Sequence, residues 1–156
     1  MSEIFINNVR ACAVSGHRVL YSDFDRERLE KVFNKLVDGG FDTFLVGMAL
    51  GFDTECFLIL EKIREKKNIK IIACIPCLTQ AERFNKKQKE LYNKMVESAD
   101  ERIILSQEYT DTCMKKRNEF MVKNSSVLVY YKRREKGGTA QTVNFAKKQN
   151  KILLEV

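Results

Sequence analysis

Apolar residues along the chain follow two spacings that take turns. Six short runs, Arg10 to Ser15 (RACAVS), Thr43 to Val46 (TFLV), Lys70 to Ile75 (KIIACI), Arg102 to Leu105 (RIIL), Val127 to Tyr131 (VLVYY) and Lys151 to Leu154 (KILL), have the length and apolar content of buried strands. Between them apolar positions recur three and four apart, the period that lines one face of a helix. Leu29, Val32, Phe33 and Leu36 form the first such stripe, opened by Asp23 or Asp25 as a cap and closed by Gly39-Gly40. Phe52, Cys56, Ile59, Leu60 and Ile63 form the second, and Phe84, Leu91, Tyr92, Met95 and Val96 the third, in a helix expected from about Glu82. A fourth helix is expected near Thr112 to Lys123, and a fifth opens at Gly137-Gly138-Thr139. Pro76, the only proline, stops the third strand.

Strands alternating with helices at this spacing require right-handed crossovers onto a mostly parallel sheet covered on both faces. The pattern predicts one α/β domain over residues 1–156, Rossmann-like and doubly wound, with a sheet of six strands. Ligands of such sheets gather beyond the carboxyl ends of the strands. The candidate loops are therefore Gly16 to Arg18, Gly47 to Thr54, Pro76 to Arg83 and Lys136 to Thr139.

The last of these loops joins an apolar strand to a helix through Gly137, Gly138 and Thr139. Free backbone N–H groups and the positive end of the helix dipole meet there, which suits an anion. On the fourth helix, Cys113, Met114, Phe120 and Met121 share one arc, and Arg117 lies near its centre. A guanidinium aimed at the core needs either an internal carboxylate, such as Asp53, or an anionic ligand. In the second loop Gly47 and Gly51 flank an apolar stretch, and Asp53 follows in the first helical turn, where a carboxylate can accept from ribose hydroxyls or simply complement the helix dipole. His17 is the only histidine; it is placed for a phosphate contact or for proton transfer, although no nucleophile or second acid accompanies it by spacing. Tyr109, Tyr130 and Tyr131 are candidates to stack a base, and strand alternation lets at most one of the last two face the site.

Composition narrows the class. The 156 residues are 44% hydrophobic and 31% charged, ordinary for a globular domain and too mixed for disorder. No uncharged apolar run approaches the roughly 18 to 20 residues that cross a bilayer, and no signal pattern opens the chain, so a cytoplasmic protein without membrane contact is expected. Five cysteines, an odd number, argue for reduced thiols, and the single Cys74-Cys77 CxxC lacks the partners of a zinc site. No metal is expected. The net charge of +7 is one-sided: Met1 to Leu78 holds 11 basic and 11 acidic residues, Thr79 to Val156 holds 17 and 10. Such a field raises the local concentration of phosphate-bearing partners, nucleic acid included, although a solvated lysine-rich surface has the same composition.

The segments SGHR, GMALGFDTECF, IPCLTQAERFNKKQKELY, MKKRNEFMV and GGTAQTVNFAKK occur in this order after successive strands and on the fourth predicted helix. Together they resemble the SLOG superfamily, named for the SMF DNA-processing and Lonely Guy proteins, in its small stand-alone YpsA-like branch. The resemblance implies a Rossmann-like fold that binds or senses a nucleotide-derived small molecule of the ADP-ribose, NAD or nucleoside phosphate kind, with a homo-oligomer as a further implied partner. By position it implies a ligand site of Gly16, Arg18, Gly47, Gly51, Asp53, Arg117, Gly137, Gly138 and Thr139. Lonely Guy phosphoribohydrolases carry PGGxGTxxE at the glycine turn, whereas here Lys136 precedes the glycines and Thr142 stands in place of the glutamate. Asn118 follows Arg117 where that branch has lysine. Both departures point away from hydrolase activity and leave phosphate binding in place, so an enzyme is not the expected reading. N-glycosidic hydrolysis and single-stranded nucleic-acid binding stand as alternatives, and no catalytic residue is assigned.

Overall fold

Parallel pairing joins β1 (Ala11–Gly16), β2 (Thr43–Val46), β3 (Lys70–Ile75), β4 (Glu101–Ile104), β5 (Val127–Tyr131) and β6 (Ile152–Glu155) into one sheet. These elements come from a computed structural model that describes residues 5–156. Spatial order is β4-β3-β2-β1-β5-β6. The connecting helices are α1 (Arg26–Asp38), α2 (Phe52–Arg64), α3 (Lys86–Ser98), α4 (Cys113–Lys123) and α5 (Gly138–Lys148). The sheet is the doubly wound Rossmann-like architecture that the hydrophobic pattern predicts, with every pairing parallel.

Alternation along each strand sorts the core into two layers. Cys12, Val14, Phe44, Val46, Ile71 and Val129 face the layer completed by Leu29 and Phe33 of α1 and by Phe57 and Leu60 of α2. Ala11, Ala13, Leu45, Ile72, Cys74 and Leu128 face the other layer, where Met121 and Val122 of α4 meet Val143 and Ala146 of α5. Small strand residues on this second face let α4 and α5 lie close to the sheet. In the first layer the buried rings of Phe33 and Phe44 meet edge to face at 5.7 Å, an arrangement adding ~0.5–1.5 kcal/mol beyond burial.

Several boundaries move by a residue. Arg10 ends a short 3₁₀ turn, Asn8–Arg10, instead of starting β1. Asp25, not Asp23, caps α1 by accepting from the Arg28 N–H at 3.1 Å. The largest difference is α3, which begins at Lys86 under a capping box of Asn85 and Gln88. Residues 77–84 form consecutive turns instead, with N–H groups of Gln80, Glu82 and Phe84 donating three residues back. Asn85 holds the true cap signal, so the apolar spacing of Phe84 with Leu91 overstates the helix by a turn. Among the described residues no helix is long and apolar enough to cross a membrane, and no cluster of potential metal ligands occurs.

Candidate functional site

Sheet order reverses between β1 and β5. The chain leaves β1 toward β2 and leaves β5 toward β6, so the two loops diverge and open a cleft at the carboxyl edge. The cleft has a volume of about 260 Å³. Gly16, His17 and Arg18 line it from the β1 loop, and Arg134, Gly138 and Thr139 from the β5 loop and the start of α5. Gly47, Ala49 and Asp53 close a second side, and α4 supplies Met114, Arg117 and Asn118 as the floor.

Arg117 is only 6% exposed. Its Nη1 donates to the Gly47 carbonyl, its Nε to Asn118 Oδ1 at 2.8 Å, and its Nη2 faces the Met114 sulfur at 3.8 Å. Burial holds the guanidinium below its ordinary value, while the Asp53 charge pulls it back up. Asp53 nevertheless makes no ion pair with it within 4.0 Å, and instead accepts from the Ala49 N–H at 3.1 Å. Burial pushes the Asp53 carboxyl up to about 6, against the opposing attraction of Arg117. Gly47 makes this packing possible: a Cβ there would stand 2.7 Å from Arg117 Nη1 and 3.0 Å from Asp53 Oδ2. The internal ion pair that would have satisfied Arg117 is not formed.

His17 is equally informative. The Arg133 backbone N–H donates to its Nε2 at 2.8 Å. A backbone N–H has no other role, so Nε2 holds a lone pair and the neutral ring carries its proton on Nδ1. Burial, and then the charges of Arg134 and Arg133, lower the His17 pKa and favour this neutral form. Nδ1 therefore presents an N–H, and 3.5 Å away stands Arg134 Nη2, a second donor. Two donors facing one another cannot bond to each other, and at this separation a single acceptor could serve both only by approaching from the side. Arg133 itself is held back from the cleft by Asp23, at 2.6 Å, and by the face of Tyr131, 4.2 Å from ring centroid to guanidinium carbon.

α5 starts at the mouth with Gly137 as its cap and no side chain satisfying its first N–H groups. Those donors and the helix dipole add to the positive field. Thr142, in the position of the glutamate that the hydrolase pattern requires, is buried and turns its hydroxyl back onto the Gly138 carbonyl at 2.8 Å. Among the described residues Asp53 is the one carboxylate lining the cleft.

A family model, YpsA (YspA SLOG family), matches residues 23–153. The chain belongs to the YpsA SLOG family. This YpsA-family chain is 32% identical over 120 residues to the uncharacterized SPbeta prophage-derived protein YoqJ of Bacillus subtilis (strain 168), an alignment covering 67% of the chain and 69% of YoqJ. Among solved structures its fold is similar to DNA processing protein A of Streptococcus pneumoniae, with a TM-score of 0.71 and 17% identity over 94% of the chain. It is similar also to DNA processing protein A of Helicobacter pylori, described with a single-stranded DNA binding mode, with a TM-score of 0.63 and 19% identity over 95% of the chain. The chain spans 50% of the first of these proteins and 65% of the second. At such identities the likeness is one of fold.

Of the residues expected at a site in this YpsA-family chain, Gly16, Arg18, Gly47, Asp53, Arg117, Gly138 and Thr139 line the one cleft. Gly51 and Gly137 are not among the lining residues. Gly51 has φ of +78° and lets two loops touch, since a Cβ there would fall 2.2 Å from the Arg18 carbonyl oxygen. Tyr130 and Tyr131 both turn away, the latter fully buried with its hydroxyl donating to Asp23 at 2.8 Å. Arg134 went unrecognised, because in KRREKGG it is one charge among several. Its place in the cleft lining, with the guanidinium beside His17 Nδ1, distinguishes it from Lys132 and Arg133.

Proposed function

We propose that this YpsA-family domain binds the phosphate of a nucleotide-derived small molecule in the cleft at the carboxyl edge of β1 and β5. The ligand class is a nucleoside phosphate, ADP-ribose or an NAD-like molecule. One observation supports this above the others: Arg18, Arg117 and Arg134 all line the cleft, and none takes part in an ion pair among the described residues. Arginines that converge without carboxylate partners suit a phosphate, which accepts from several guanidinium N–H groups at once. Gly138 and Thr139 add backbone donors, and Asp53 is placed to accept from a ribose hydroxyl. The domain holds its ligand and does not cleave it, since the position of the hydrolase glutamate is Thr142 and its hydroxyl is committed to Gly138.

Thermal unfolding with AMP, ADP-ribose and NAD tests the reading. A ligand at a hundred times its Kd stabilises by about 2.7 kcal/mol, which for a domain of this size raises Tm by roughly 5–10 °C. Arg117→Met, which keeps the apolar stem and removes the charge, should fold and lose the shift. No stabilisation by any of the three would overturn the proposal. Single-stranded DNA binding is a second reading, favoured by the fold likeness to DNA processing protein A and by the +7 charge. It predicts retarded oligonucleotide mobility that disappears steeply with added salt.

A further inference from the structure

The phosphate cleft does not end at its own walls. Across Arg18 and Met114, which line both spaces, it continues into a second chamber of about 610 Å³. Leu50, Phe84 and Tyr109 give this chamber apolar and aromatic walls, and Gln80 adds an amide. The walls are organised. The turns of residues 77–84 set Gln80 and Phe84 in place, and Phe84 packs edge to face on Tyr92 at 5.7 Å. Tyr92 donates to Gln80 Oε1 at 3.2 Å, and Gln80 Nε2 donates to the Gly47 carbonyl at 3.0 Å, the same carbonyl that Arg117 uses. One carbonyl thus ties the chamber wall to the floor of the phosphate cleft. Tyr109 stands at the edge with 64% of its surface exposed, and its ring pairs with no other aromatic ring among the described residues.

Resting on the phosphate reading above, we infer that this chamber takes the nucleobase of the ligand whose phosphate lies in the first cleft, with Tyr109 as the stacking platform and Arg18 as the bridge between the two parts. A planar heteroaromatic ring matches the lining on each count. Its faces stack on a tyrosine ring and pack on a methionine thioether. Its edges find polar partners in the Gln80, Thr79 and Glu82 stretch, and the ring is carried in by covalent attachment to the anchored phosphate. A bare sugar phosphate would leave the chamber empty.

Calorimetric titration with ribose 5-phosphate and with AMP separates the two parts. Both should bind the wild-type protein, AMP more tightly. Tyr109→Ala should weaken AMP roughly ten-fold, within the range of one stacked base, and leave ribose 5-phosphate unchanged, while Tyr109→Phe restores AMP affinity. Equal effects of Tyr109→Ala on both ligands, or on neither, would overturn the base chamber and leave the phosphate cleft standing. Failure of both ligands, and of ADP-ribose and NAD, to bind the wild-type protein would overturn the phosphate reading and this one with it. Tyr109-dependent binding of a short oligothymidylate without Tyr109-dependent AMP binding would assign the chamber to single-stranded nucleic acid and overturn the small-molecule assignment.

Discussion

Asp53→Asn should make the unliganded protein more stable at neutral pH. Asp53 is 6% exposed, hydrogen-bonded to the Ala49 N–H at 3.1 Å and without an ion pair. Its carboxyl is raised from 3.8 to about 6, with burial the largest cause. The folded state therefore binds this proton more tightly than the unfolded state does. Stability contributed by the protonated form is complete below pH 4 and is lost as pH rises through 6, so above that the ionised carboxylate is a cost. At ~1.4 kcal/mol per pH unit, the rise from 3.8 to about 6 sets a ceiling of about 3 kcal/mol. An asparagine keeps the acceptor for Ala49 and cannot ionise. Its Tm at pH 7.5 should exceed that of the parent by up to ~10 °C, and the two should converge near pH 4. His17 works in the opposite direction, because its lowered pKa removes stability as pH falls below 6.5. The difference between variant and parent cancels this, so the assay is paired melting curves from pH 4 to 8. A lower Tm for Asp53→Asn at pH 7.5 would refute the reasoning, since it would mean that Arg117 holds the carboxylate in a net favourable pair.

The glycines give further tests. Gly47→Ala puts a Cβ 2.7 Å from Arg117 Nη1; the guanidinium must shift, costing about 1–3 kcal/mol and lowering AMP affinity in calorimetry. Gly51→Ala meets the Arg18 carbonyl at 2.2 Å with φ of +78°, so its loss in denaturant unfolding should reach or pass the ~3 kcal/mol upper end of overpacking. Gly137→Ala has open space at a φ of +107° and should cost only strain, about 1–3 kcal/mol. All five cysteines are buried, and burial raises Cys12, Cys56 and Cys74 well above an ordinary thiol. A thiol reagent such as DTNB should therefore react with the folded protein only as fast as it unfolds.

The strand-helix alternation was readable because strand runs such as TFLV and KIIACI are bounded by residues that cannot continue them. Arg117 was readable because a single charge on an apolar helical arc contradicts its neighbours. His17 was not, since a lone histidine in a loop has many meanings until one ring nitrogen is seen to accept from Arg133. The role of Gly47 was legible only in outline: glycine implies close approach, and the group that approaches is the Arg117 side chain. Phe84 misled, because its apolar spacing with the helix beyond it hides that it belongs to the turns that build the second chamber.

Strand order explains why the pieces meet, and no local pattern contains it. From β1 to β4 the chain steps in one direction, and right-handed crossovers put α1, α2 and α3 on a single face. To reach β5 it must return past β3 and β2 to the far side of β1, and the same handedness places the returning α4 on the opposite face. That one long crossover carries Arg117 beneath the carboxyl ends of β1 and β2, where Gly47 ends its strand. α5 lies on the same face as the chain steps outward from β5 to β6, and its N-terminus reaches the cleft from the other side. A chain that returned by any other position would have kept Arg117, Gly16 and Thr139 in sequence and lost their convergence. The proposed anion site is thus a property of the switch point between β1 and β5, where the helix that crosses half of the sheet adds Arg117 to the Arg18 and Arg134 of the two loops.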